Sequence, residues 1–136
     1  MPKVSMTTDL QASADDVWKL IGGFNALPDW HPAVEKSELK EEGQERILSL
    51  AGGGKIVERL EKINEHEREY SYSIKDSPLP VTNYTARLKV KDDGKGGSSV
   101  EWSSDFEAVG TDNEAMKVVE NIYQTGFDNL RKMFGG

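Results

Sequence analysis

A late change of hydrophobic period constrains this chain more than any other feature. In two segments apolar residues recur one in two. Tyr70, Tyr72 and Ile74 alternate with Ser71, Ser73 and Lys75, and Tyr84, Ala86, Leu88 and Val90 alternate with Thr85, Arg87, Lys89 and Lys91. Each segment has a dry face and a wet face, as a strand in an antiparallel sheet covered on one side requires. After Asp112 the period lengthens. Met116, Val119, Tyr123, Phe127, Leu130 and Phe134 recur at helical spacing, and Ala115, Val118, Ile122 and Met133 widen the stripe. The spacing predicts a helix from about Asn113 to Phe134, capped by Asp112 and roughly 33 Å long at 1.5 Å per residue. Such a helix finds its burial against the dry face of the strands before it.

The remaining segments complete that plan. Lys3 to Leu10 reads as a first strand. Ser13 followed by Asp15 and Asp16 caps a short helix ending at Ile21, before Gly22-Gly23, because a hydroxyl and acidic first-turn residues satisfy the orphan amides. Phe24 to Leu27 suggests one further turn of helix, stopped by Pro28. Val34 to Lys40 and Glu45 to Leu50 form one hairpin pattern, Lys55 to Ile63 and Arg68 to Lys75 a second, and Val81 to Lys91 and Ser98 to Glu107 a third, with turn residues between. The expectation is an α+β fold in one domain, residues 1–136. Its curved seven-stranded antiparallel sheet wraps round a long C-terminal helix, with one or two short helices after the first strand.

Charge and composition exclude several functions. Seventeen Lys and Arg stand against 24 Asp and Glu, a net charge of −7. An acidic surface lacks the cations that release counterions from nucleic acid and is repelled by anionic membrane faces, so no nucleic-acid partner is expected. There is no cysteine, hence no disulfide, thiolate metal site or cysteine nucleophile. His31 and His66 are far apart without clustered carboxylates, so no metal is expected. Gly52-Gly53-Gly54 lacks the continuation of a phosphate loop, and no cofactor is expected. No apolar run is long enough for a membrane span, and no signal-peptide pattern opens the chain at Met1-Pro2-Lys3-Val4. These features fit a cytoplasmic protein, monomer or homodimer.

The run Val17-Trp18-Lys19-Leu20-Ile21-Gly22-Gly23-Phe24-Asn25-Ala26-Leu27-Pro28-Asp29-Trp30-His31-Pro32 resembles the START-like (SRPBCC) helix-grip superfamily. So do Val57-Glu58-Arg59-Leu60-Glu61, Ser77-Pro78-Leu79-Pro80-Val81-Thr82-Asn83-Tyr84 and Val100-Glu101-Trp102. Within it the chain looks most like bacterial polyketide cyclase/dehydrase-type proteins. A weaker similarity reaches the plant abscisic-acid receptors, through Val34-Glu35-Lys36-Ser37, Glu58-Arg59-Leu60 and Asn83-Tyr84. The resemblance implies a cavity between sheet and long helix that holds a lipid, hormone or polyketide. It implies that Leu50 to Gly54 and Ser77 to Pro80 frame the mouth, although neither carries the receptors' gate or latch sequence.

Candidate ligand-binding residues follow from both sources. The dry faces nominate Ile56, Tyr72, Ile74, Tyr84, Ala86 and Trp102, and the matching motifs add Trp30 and Val81. Glu58, flanked two residues away by Ile56 and Leu60, is expected inward, because the opposite register buries two charges, those of Arg59 and Glu61, instead of one. Lys36 falls where the hormone receptors keep a lysine that anchors a ligand carboxylate. That resemblance points it inward as partner of Glu58, while charged Glu35 and Glu38 beside it suit a wet face. Glu101 is pocket-facing by similarity and outward by alternation, unless a bulge intervenes. Val118 and Ile122 should face the cavity with Gly126 in line, its helix cost of about 1 kcal/mol offset by ligand space or close packing. His31 reads as a structural hydrogen-bond donor, with general-base chemistry as the other use.

The expected function is binding of a small hydrophobic or amphipathic ligand, such as an acid, lipid or polyketide. The alternative is a polyketide cyclase, aromatase or dehydratase moving protons with Lys36, Glu58 or Tyr84, and a third reading is a partner-docking module. No catalytic constellation is evident.

Overall fold

A computed structural model describes residues 2–136. Strand β1 (Lys3–Leu10) leads to helix α1 (Ala14–Ile21), whose N-cap Ser13 accepts from the Asp16 amide at 3.2 Å. A short helix α2 (Leu27–Trp30) follows, then β2 (Val34–Lys40), β3 (Glu45–Leu50), β4 (Lys55–Asn64), β5 (Glu69–Asp76), β6 (Val81–Asp92), β7 (Ser98–Ala108) and α3 (Asp112–Phe134). The strands form one seven-stranded sheet in the order β1-β7-β6-β5-β4-β3-β2, antiparallel throughout, with β1 and β2 at its edges. The sheet and the long final helix stand where the change of period puts them, and α1 ends at Ile21 as its cap and the following glycines imply.

Two local expectations are corrected. The extra helical turn does not occupy Phe24 to Leu27 and stop at Pro28. It begins at Leu27 with Pro28 in its first turn, where a missing N–H costs nothing because the first amides have no helical partner anyway. The cap of α3 is Thr111, whose hydroxyl accepts from the Glu114 amide at 3.3 Å, with Asp112 already inside the helix.

Bulges decide which residues face inward. Pairing slips between Val34 and Lys36 in β2, between Leu60 and Lys62 in β4, between Ile74 and Asp76 in β5, and between Thr82 and Thr85 in β6. Each extra residue bends its strand and shifts the phase of alternation. In β6 the slip is taken up at Asn83, which adopts a left-handed φ of 51°. Val81 and Tyr84 are therefore both buried although three residues apart.

Helix α3 packs on β1 and β7 and is met from the side by α2. An aromatic layer fills that end. Trp102 stacks on Tyr123 with centroids 4.2 Å apart, and Trp30 and Phe127 close around it. With α3 laid over the β1 side, the inner face of β3, β4 and β5 lies beyond the helix, and a cavity opens there.

Candidate functional site

The cavity has a volume of about 330 Å³, within the range of small-molecule sites. Leu48, Ile56, Ile74, Val34, Leu27 and Ile122 give it apolar walls. Leu50, Ala51, Gly52 and Gly53 from the β3–β4 turn and Leu79 from the β5–β6 loop stand on its lining. The two loops approach each other, since a Cβ at Gly54 would lie 3.7 Å from Pro78 Cγ. The glycine turn is held at both ends: the Ala51 amide donates to the Ala33 carbonyl at 2.9 Å, and the Leu50 amide donates to the Gly54 carbonyl at 3.0 Å.

Into this apolar space comes one charged side chain, Glu58. Its partner is Arg46, directly opposite on β3. Nε and Nη2 of Arg46 both contact Glu58 Oε1, at 2.8 and 2.7 Å, and Nη1 donates to the Phe24 carbonyl. The guanidinium carbon lies 4.2 Å from the Phe24 ring centroid and 5.2 Å from that of Tyr72. Arg46 is 1% exposed and Glu58 5%. Burial pushes the Glu58 carboxyl above its ordinary range, and Arg46 opposes that rise. Burial alone would lower Arg46, but the Glu58 charge and hydrogen bonds hold it above its usual value. The guanidinium therefore never gives up its proton and holds Glu58 as its counterion. Arg46 itself is not on the cavity wall.

All four tyrosines of the chain are buried, and three form a relay behind and beside the cavity. Trp102 Nε1 donates to the Tyr72 hydroxyl at 2.9 Å, Tyr72 and Tyr84 hydroxyls lie 3.4 Å apart, and Tyr84 is in close contact with the Tyr123 hydroxyl. Burial raises all three phenols, Tyr72 and Tyr84 most, so they act as neutral donors.

His31 lies at the inner end with both nitrogens engaged. Nδ1 accepts from the Ala33 amide at 3.2 Å, so Nε2 carries the proton and donates to the Ile122 carbonyl of α3 at 2.7 Å. Burial lowers its pKa below 6.5, against the pull of the Ile122 carbonyl. Gly126 makes this approach sterically feasible: a Cβ there would come within 2.9 Å of His31 Cδ2, 3.0 Å of Trp30 Cζ3 and 3.2 Å of Trp102 Cζ3.

Of the residues nominated from sequence, Ile56, Glu58, Tyr72, Ile74, Tyr84, Trp102 and Ile122 line the cavity. Trp30 is buried behind Trp102, and Val81 and Ala86 are buried in the sheet face, all three off the cavity wall. Three placements are corrected. Lys36 is exposed, because the bulge after Val34 turns it outward and hands the inner side to Ser37, which donates to Asn25 Oδ1. Glu101 lies on the outer face beside Lys91 at 2.8 Å, and Trp102 takes the inner position that alternation gives it. Val118 is half-exposed on α3, one turn before Ile122, and does not reach the cavity. Sequence reasoning missed the wall residues Leu27, Val34 and Leu48 and the buried Arg46. The signal for Arg46 was phase, since it shares one side of β3 with Leu48 and Leu50.

Among the described residues there is no group of three or more His, Asp or Glu that could hold a metal ion. No described helix is long and apolar enough to cross a membrane.

An antiparallel sheet gripping one long C-terminal helix, with an apolar cavity beside it, defines a helix-grip fold. The chain belongs to the family described as polyketide cyclase/dehydrase and lipid transport, which it matches over residues 1–135. Among solved structures it is similar to XoxI of Bacillus cereus, at 42% identity and a TM-score of 0.96, covering 98% of this chain and 96% of that one. Two more distant structures share the fold alone. A START superfamily protein of Mycobacterium smegmatis is 15% identical with a TM-score of 0.73, covering 96% of this chain and 98% of the other. The ZhuI aromatase/cyclase of a Streptomyces species is 20% identical with a TM-score of 0.76, covering 95% and 90%. No curated protein matches the sequence.

Proposed function

We propose that the protein binds a small hydrophobic or amphipathic molecule in the cavity beside α3 and carries or stores it without chemical change. The observation that supports this most is the lining itself: an apolar wall around about 330 Å³ with few polar groups, bounded by two loops that approach each other. At about 30 Å³ per water-sized group, that space takes about eleven such groups, a one- or two-ring molecule or a short acyl chain.

The family also includes cyclases and dehydrases, and that activity is the second reading. Binding is favoured because the cavity's ionisable groups are already committed. His31 has both nitrogens occupied, Glu58 is the counterion of Arg46, and the tyrosines are held neutral. A proton-transfer catalyst needs a group free to change state near working pH.

Equilibrium dialysis with naphthalene, together with native mass spectrometry of the purified protein, tests the reading. The protein should retain naphthalene, and Ile74→Trp, which fills the cavity from its wall, should abolish retention with the circular dichroism spectrum intact. Equal retention by both proteins overturns the cavity as the binding site.

A further inference from the structure

Resting on that binding reading, the disposition of polar groups narrows the ligand's chemistry. We propose that the cavity selects a neutral ligand bearing a hydroxyl, an alcohol or phenol, and disfavours carboxylic acids. The cavity's charged lining residue is a carboxylate, which only accepts hydrogen bonds. The balancing cation is out of reach. Three nitrogens of Arg46 are spent on Glu58 Oε1 and the Phe24 carbonyl, and its plane is covered by Phe24 and Tyr72. Lys36, the other cation considered as an anchor, is on the outer surface.

Three head groups can be compared. A ligand carboxylate must leave water here, and it meets a Glu58 oxygen that, like its own, only accepts hydrogen bonds, with no free cation to receive it. An ammonium meets an already neutralised ion pair and must leave water without a counter-charge of its own. A hydroxyl suits the groups on offer. It donates to Glu58, whose Oε2 accepts no hydrogen bond from Arg46, and it accepts from a phenol. Tyr72 is the phenol with a proton to give. Its oxygen already accepts from Trp102 Nε1, and the neighbour available for its own proton, the Tyr84 hydroxyl, is 3.4 Å away, long for such a bond. Tyr84 in turn is engaged by Tyr123. The Glu58 charge is felt by Tyr72, as expected of groups bordering one space. His31 adds no free donor or acceptor.

The test compares three probes of one shape at neutral pH: naphthalene, naphthol and naphthoate, each titrated calorimetrically into the wild-type protein. Naphthol should bind at least about tenfold more tightly than naphthalene, since a site built for a hydroxyl penalises its absence. Naphthoate should bind more weakly than naphthalene. In Tyr72→Phe the advantage of naphthol over naphthalene should shrink several-fold. If naphthoate equals or exceeds naphthol, or all three bind alike, the hydroxyl assignment is overturned and the cavity reading stands. If none of the three binds, both are overturned.

Discussion

Removing Arg46 and Glu58 one at a time and then together should expose how this buried pair is held. Arg46→Met leaves the Glu58 carboxylate in an apolar wall without a partner, strips the Phe24 carbonyl of its donor and ends the contacts over Phe24 and Tyr72. Breaking one side of a buried pair costs about 3–5 kcal/mol, a large share of a typical domain's stability. The midpoint of thermal unfolding should fall by roughly 10–20 °C at this chain length. Glu58→Leu should cost a similar amount, because it strands a guanidinium that cannot neutralise itself. In the double variant neither charge remains, so the loss should shrink to about 1–3 kcal/mol, the cost of the unpaired Phe24 carbonyl and lost packing. Urea unfolding followed by tryptophan fluorescence and circular dichroism gives all corners of the cycle. A double variant as unstable as the two single losses added together would refute the reasoning, as would a single variant costing under about 1 kcal/mol.

Other outcomes follow from the same geometry. Gly126→Ala should destabilise by about 1–2 kcal/mol, overpacking against three ring systems outweighing the gain in helix propensity. The exposed neighbour Thr125→Ala should change little in the same urea series. Because burial lowers His31 below 6.5, its neutral form stabilises the fold above pH 6.5, and that contribution is lost as pH falls through 6.5 towards and past the lowered value. His31→Gln should flatten that part of the stability-against-pH profile, and an unchanged slope would assign the acid sensitivity elsewhere. Lys36→Met should leave naphthol and naphthoate affinities and unfolding stability unchanged within about 0.5 kcal/mol, measured by calorimetry and urea unfolding. A selective loss of naphthoate binding would restore it as an anchor.

How far the site was legible depended on whether a residue's direction follows from its own strand. Glu58 was readable because Ile56 and Leu60 flank it at the right period. Trp102 was readable against the similarity that favoured Glu101, because β7 keeps its alternation through both. Lys36 was not, since a bulge is one extra residue with no sequence mark of its own, and it reverses every direction after it. Arg46 is a different case. Its phase was visible, but an arginine on a dry face becomes intelligible only once cross-strand register sets it opposite Glu58. Pro28 was misread because the same ring that stops a helix also starts one.

The exposed position of Lys36 has a consequence apart from any ligand. Strand β2 is the last of the sheet, so one row of its backbone amides and carbonyls faces no further strand and offers a template for pairing with another chain. Glu35, Lys36, Glu38 and Lys40 all stand exposed along it, and the bulge after Val34 breaks its register. A second chain could lie along that edge only by bringing alternating charges against its own side chains and matching an irregular ladder, two devices that keep an open sheet from growing into an aggregate. The lysine that looked like a ligand anchor is one of the charges set along this open edge.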